Sequence, residues 1–155
     1  MASRLLQELQ QTKPFPRPQD EALVAVLRTA AVLEHQLGEA LKAFGLTLTQ
    51  FNVLRILRGA GAAGLCGREI GERLIAQVPD VPRLLERMEA AGLLDRARDR
   101  EDRRHVSTRI TPEGRRLLER AEAALEPIAR RRFRGLQLPE IQALLAALDA
   151  IRAEG

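Results

Sequence analysis

Residues 93–110 read LLDRARDREDRRHVSTRI. The helical period that runs through the flanking sequence disappears here. Val106, Thr108 and Ile110 alternate with His105, Ser107 and Arg109, the period of a strand with one face inward. Residues 93–98 can pair with that strand, and the segment between them, 99–104, is all charge. The stretch therefore predicts a two-stranded ribbon with a polar tip.

The charge of the ribbon is mixed. Residues 95–104 hold five arginines and four acids, too many acids for a plain polybasic arm. Asp102 and Arg104 lie two apart at the strand-to-loop bend and are placed to pair. That leaves Arg98, Arg100 and Arg103 for phosphates or a narrow minor groove. A solvated charged hairpin is the competing account. Surface ion pairs stabilise little, however, so stability alone is a poor reason for the cluster.

Immediately upstream, a short helix over 67–74 buries Ile70 and Leu74. A turn over 75–78 and a helix over 79–91, closed by Gly92, follow it. Two short helices joined by a tight turn, then a ribbon, make a winged helix-turn-helix, whose second helix fits the major groove. At about 100° per residue, Arg87 lies about 40° and Asp80 about 60° from Arg83, on one side. Val81, Leu84, Leu85 and Met88 fall on the opposite arc. One face thus packs inward and the other presents Asp80, Arg83 and Arg87. The plain alternative is a surface helix whose arginines pair with Glu86 and Glu89, and the adjoining ribbon weighs against it.

Farther out, the pattern is helical on both sides. Residues 13–18, K-P-F-P-R-P, form an extended arm. A long helix over 20–44 carries Leu23, Leu27, Ala30, Leu37, Leu41 and Phe44 at helical spacing, and Gly45 ends it. Thr47 to Gln50 has the spacing of a capping box for a helix to Leu57, followed by a glycine- and alanine-rich loop over 59–64. Thr111-Pro112-Glu113 opens another helix, with Leu117, Leu118, Ala121, Leu125 and Ile128 on its stripe. Pro127 should kink or break that helix, and the run Arg130, Arg131, Arg132 and Arg134 matches its dipole at the end. A last helix from near Pro139 should bury Ile141, Leu144, Leu145, Leu148 and Ile151. The fold class is mainly α with a small β-ribbon wing: a winged helix-turn-helix domain flanked by N- and C-terminal helices.

Composition agrees. Of 155 residues 45% are hydrophobic but only 3% aromatic, with no Trp or Tyr, so the core is aliphatic and suits packed helices. A net charge of +4 favours a polyanionic partner, nucleic acid or an anionic membrane surface, but 21 acids accompany the 25 bases, and a GC-rich genome or a warm habitat is the plainer account of bases that are nearly all arginine. The one cysteine, Cys66, excludes an intramolecular disulfide. No apolar run reaches the length of a membrane span, and residues 1–12 lack a signal-peptide layout, so a soluble cytoplasmic protein is expected. Phosphate-cradling glycine motifs, a nucleophile elbow and a metal quartet are all missing. His35 and Glu39 lie four apart, but nothing completes a ligand set. The expectation is a non-enzyme without cofactor or metal.

Several stretches then resemble the MarR family of transcriptional regulators. They are GLTLTQFNVL at 45–54, REIGERL at 68–74, VPDVPRLLERMEAAGLL at 78–94 and DREDRRHVSTRITPEG at 99–114. The last is the most specific: D-R-R in the ribbon, a strand, then T-x-x-G opening a helix. The resemblance implies a homodimer, with residues 1–44 and 112–155 as interlocking dimerisation segments around a DNA-binding domain at 45–111. By position, Arg83 and Arg87 match the recognition-helix contacts, Asp102 and Arg104 the wing pair, and Arg100 and Arg103 the wing-tip arginines. Gln50 matches a phosphate contact at a helix start. Pro82 departs from the family, which usually has a small hydroxyl residue there; the loss of that hydroxyl implies altered specificity.

The family also implies double-stranded DNA as partner and a repressor released by a small anionic or aromatic effector, which no residue here identifies. Cys66 precedes a short helix, whose N-terminus favours a thiolate open to oxidation; the other account is a residue that simply fills the cap. The functional alternative is a winged-helix module for protein interaction or dimerisation, without specific DNA binding.

Overall fold

Prolines set the start of the first long helix. In the computed structural model, which describes residues 4–98, 102 and 105–153, α1 spans Arg4–Glu8 and α2 spans Pro18–Lys42. Residues 13–17 are not helical, as alternating prolines dictate. Pro18 itself opens α2, two residues ahead of the expected start. Its fixed φ suits the first helical position, where the missing N–H would be unbonded anyway. Arg17 caps the helix in an extended conformation and holds Asp20 through bonds of 2.8 and 3.0 Å. At the other end, the Leu46 N–H donates to the Leu41 carbonyl and the Gly45 N–H to the Lys42 carbonyl, the bond pair of a Schellman cap. Nothing in the pattern of residues 1–12 announces α1, which Arg28 ties to α2 through Glu8 at 3.7 Å.

The chain divides into two compact units, Met1–Leu48 and Thr49–Gly155. In the first, α2 carries its apolar residues at the expected spacing, yet Leu41 is its one buried residue. Leu23 and Leu27 are each 61% exposed.

The second unit holds the aliphatic core that the composition demands. It draws Phe51, Val53, Leu54 and Leu57 from α3 (Leu48–Ala60) and Ile70 from α4 (Gly67–Arg73). Leu84, Leu85 and Met88 come from α5 (Val81–Ala90), and Leu118, Ala121 and Leu125 from α6 (Pro112–Phe133). Leu74, expected inside, is only half-buried, because α4 stops at Arg73 and the chain is already extended at Leu74.

The ribbon forms as the alternation predicts. Strands β1 (Leu94–Arg98) and β2 (Val106–Ile110) pair antiparallel, with Leu94 opposite Ile110, Arg96 opposite Thr108 and Arg98 opposite Val106.

Three departures from the sequence pattern have physical causes. First, α3 runs on through Gly59 and Ala60 into a single 3-10 turn, Gly61–Ala63, so the expected loop over 59–64 shrinks to almost nothing. One helical glycine costs only about 1 kcal/mol, less than burying Leu57 contributes. Leu65 then lies against β2 as a third strand-like segment, exchanging bonds of 3.0 and 2.8 Å with the backbone of Thr108. Gly64 makes this possible: with φ +69, any Cβ there would lie 2.6 Å from the Thr108 carbonyl.

Second, Pro127 neither breaks nor ends α6, which continues to Phe133. The proline removes the N–H that would bond the Ala123 carbonyl, but both residues are exposed, so water can serve that carbonyl. Third, α7 (Leu138–Ala153) buries no residue. Ile141 and Leu148 are half-buried, whereas Leu144, Leu145 and Ile151 are 38%, 56% and 61% exposed. The apolar stripe exists; a single chain does not cover it.

The T-x-x-G element joins the ribbon to α6. The Thr111 hydroxyl accepts the Gly114 N–H at 3.0 Å and donates to the Gly92 carbonyl at 2.7 Å. A Cβ on Gly114 would stand 2.3 Å from the Leu93 carbonyl oxygen. Alanine ordinarily favours a helix over glycine by about 1 kcal/mol. Here the clash reverses the sign, and Gly114→Ala should destabilise the protein by about 1–3 kcal/mol. An unchanged or raised midpoint in urea denaturation would contradict this packing.

Candidate nucleic-acid interface

The helix-turn-helix is built from α4, the connection 74–80, and α5. The Asn52 side-chain carbonyl of α3 accepts the Ile75 N–H at 2.9 Å and so fixes the start of that connection. Gly71 of α4 faces Val81 of α5, whose Cγ2 would lie 3.4 Å from a Cβ at position 71. The apolar side of α5 then fixes the helix by burying Leu84, Leu85 and Met88.

The start of α5 differs from the expected Pro79. Asp80 is the N-cap, outside the helix, and its Oδ1 accepts the Arg83 N–H at 3.0 Å. Pro82 falls in the first helical turn, where its lack of an N–H is harmless. Two prolines in this segment are thus reconciled by a later start. Asp80 consequently does not stand on the helix face beside Arg83 and Arg87. Aspartate is a preferred N-cap because its carboxylate satisfies an otherwise unbonded N–H.

The outward face of α5 follows from its buried side. At about 100° per residue, Val81, Leu84, Leu85 and Met88 span an inward arc of about 100°. The outward direction falls between Arg83 and Glu86, each about 30° from it, with Pro82 and Arg87 about 70° to either side. All four are exposed. Among the described residues, neither arginine is in an ion pair. Glu89, one of the two acids available to them, instead faces Arg96 of β1 at 3.8 Å. The account in which both arginines are consumed by Glu86 and Glu89 does not describe this helix.

Along the ribbon, burial falls toward the tip. Leu94 and Thr108 are buried, the Arg96 side chain is 23% exposed, and Arg98 is fully on the surface. The Ser107 hydroxyl donates to the Ala63 carbonyl at 2.9 Å, which anchors the other side of β2. Asp102 is exposed, and its carbonyl accepts the His105 N–H at 2.9 Å. Arg100, Arg103 and Arg104 lie outside the described residues, and with them the proposed Asp102–Arg104 pair.

The remaining candidates are placed as follows. Gln50 is half-buried in the first turn of α3. Cys66 is the N-cap of α4, and the Glu69 carboxylate accepts its N–H at 2.8 Å, which holds that carboxyl below the usual carboxylate range. Among the described residues no three His, Cys, Asp or Glu side chains gather as a metal site. No described helix is long and apolar enough to cross a membrane. The arginine run at the end of α6 is exposed; Arg130 pairs with Glu126, and a cleft of about 600 Å³ opens beside Pro127, Arg131 and Arg134.

One polar link escaped the sequence. The Arg58 guanidinium of α3 meets both oxygens of Glu122 on α6, each at 2.6 Å, and Arg55 approaches the same carboxylate at 3.7 Å. The hydrogen bonds from Arg58 hold the Glu122 carboxyl below the usual range and raise the guanidinium's own value. The partners are 64 residues apart, and neither side chain has a local signature.

Comparison with known proteins gives a consistent picture. The sequence model of the MarR family matches residues 46–106. The chain is 34% identical over 143 residues to the HTH-type transcriptional regulator TtmR of Methylorubrum extorquens, a match covering 90% of this chain and 70% of that protein. It is 31% identical over 111 residues to the HTH-type transcriptional repressor IacR of Pseudomonas putida, covering 72% of this chain and 65% of the repressor. Among solved structures it is similar to BpsR of Bordetella bronchiseptica, whose DNA binding is regulated by 6-hydroxynicotinic acid. The TM-score is 0.76 at 26% identity, over 90% of this chain and 98% of the other.

The Arg58–Glu122 link sets an acid dependence. A depressed carboxyl stabilises the fold above its unfolded value, and that contribution is lost as pH falls through the folded value. Glu122→Gln should lower the urea midpoint at neutral pH, and the gap to wild type should close as the solution is acidified. A gap that stays constant down to strongly acid pH would show that the pairing contributes nothing.

Proposed function

The chain belongs to the MarR family of transcriptional regulators, and from that premise we propose that it is a repressor that binds a pseudo-palindromic operator as a homodimer. The observation that carries the reading is the outward face of α5, where Arg83 and Arg87 stand exposed without ion pairs among the described residues. Guanidinium groups held on one helix face are suited to guanine O6 and N7 in the major groove. The ribbon follows α5 directly and supplies the phosphate and minor-groove contacts: Arg98, Arg100, Arg103 and Arg104, with Asp102 as a positioning acid. Gln50 is a further phosphate candidate.

Homodimerisation accounts for the uncovered apolar faces. Leu23 and Leu27 of α2, and Leu145 and Ile151 of α7, are each more than half exposed. Such faces are unusual on a monomer and mark interaction surfaces. In this reading residues 1–44 and 112–155 dimerise and residues 45–111 bind DNA. Two recognition helices then meet half-sites roughly 34–36 Å apart, or a multiple of that spacing. A small anionic or aromatic effector releases the repressor, a reading supported by the regulation of BpsR by 6-hydroxynicotinic acid.

Electrophoretic shift with genomic fragments at stated salt tests the DNA reading. Wild type should give a specific, salt-sensitive complex. Arg83→Ala should relax sequence preference at one position by about 1–3 kcal/mol. Arg98→Ala should weaken all sequences alike and reduce the salt slope by about 1. A protein that gives no specific complex at moderate salt, yet dimerises, is an interaction module instead. Leu27→Asp and Leu145→Asp should each shift the particle to monomer in sedimentation; a persistent dimer in both removes these faces from the interface.

A further inference from the structure

The centre of the outward face of α5 is shared by a base and an acid. Glu86 stands about as close to the outward direction as Arg83, on the opposite side of it. It is exposed and has no ion pair among the described residues. Its neighbour Glu89 is turned to Arg96, and Asp80 is committed to the helix cap. Glu86 is therefore the one acid of this segment that the fold leaves directed outward among the described residues. A reading based on arginines gives it no task.

Resting on the DNA-binding reading above, we propose that Glu86 is a base-reading residue that accepts a hydrogen bond from an exocyclic amino group, cytosine N4 or adenine N6, in each half-site. A carboxylate only accepts hydrogen bonds. Brought between two phosphate backbones and stripped of water, it must find a donor or weaken the complex. On the major-groove edge the donors are the amino groups of cytosine and adenine. Every base pair has one such group, but on one strand only. A carboxylate at a fixed place therefore separates cytosine from guanine, or adenine from thymine, and so fixes which strand faces the helix.

Arg83 supplies the complementary preference, for the acceptor pair of guanine. Three residues of helix rise about 4.5 Å, against about 3.4 Å per base step along one strand, so the two side chains address neighbouring base pairs. The same helix thus reads an acceptor on one pair and a donor on the next. The acid also opposes non-specific binding, because it repels phosphate wherever its donor is missing.

Selection of binding sites from random duplexes, followed by titration of single-position variants of the selected site, tests this with wild type, Glu86→Ala and Glu86→Gln. Wild type should show one position per half-site where cytosine or adenine is preferred roughly tenfold over its complement. Glu86→Ala should lose that preference at that position alone, keep the guanine preference tied to Arg83, and bind unrelated sequences more tightly. Glu86→Gln, which can pair with adenine N6 and N7, should place the preference on adenine. If Glu86→Ala raises affinity for all sequences equally and leaves every preference intact, Glu86 only repels phosphate and the proposal is overturned. If wild type itself selects no sequence, it is the DNA-binding reading that fails.

Discussion

One residue, Thr111, joins the three elements around the candidate interface. Thr111 accepts from Gly114 at the start of α6 and donates to Gly92 at the end of α5, while its own N–H bonds the Leu93 carbonyl just before β1. The close seat of Gly114 on Leu93 locks the same junction sterically. Helix α5, the root of the ribbon and α6 therefore leave one point in fixed directions. The T-x-x-G element is conspicuous in the sequence because two hydroxyl bonds and a close approach meet there, which constrain the residue types at 111 and 114.

From that junction α5 and the ribbon diverge. Leu84, Leu85 and Met88 seat α5 on the core along its length, so its outward side chains are displayed by a packed element. Among the described residues the ribbon is held by Leu94, Thr108, the Leu65 backbone and Ser107. Under the proposed function, side chains that discriminate bases belong on a packed element such as α5, whereas phosphate contacts position the protein without reading sequence. The proposed division of labour gives base contacts to Arg83 and Glu86 on α5 and phosphate contacts to the arginines of the ribbon.

Much of this was legible because it is local. The alternation at 106–110 gave the ribbon, the spacing of Leu84, Leu85 and Met88 gave the buried side of α5, and Thr111-Pro112-Glu113 gave the start of α6. The resemblance to the MarR family added the order of the parts. Where two local signals competed, the sequence was ambiguous. Pro79 and Pro82 both suit a helix start, and only the acceptor on Asp80 decides for the later one, which moves Asp80 off the face it was assigned to. Contacts between distant residues left no trace: Arg58 with Glu122, and Leu65 with Thr108. The stripe on α7 was read correctly as apolar and incorrectly as buried, because hydrophobic spacing shows that a face needs cover but not whether the cover is the same chain.

The central claim is that two copies of this chain place α5 in successive major grooves. Hydroxyl-radical footprinting on a duplex selected by the protein tests it most directly. The account predicts two protected, symmetry-related half-sites whose centres lie roughly 34–36 Å apart or a multiple of that distance, with Arg83→Ala weakening the sequence-dependent protection at the same position of both half-sites. A single protected patch, or protection that is the same for any sequence and unaffected by Arg83→Ala, would contradict it.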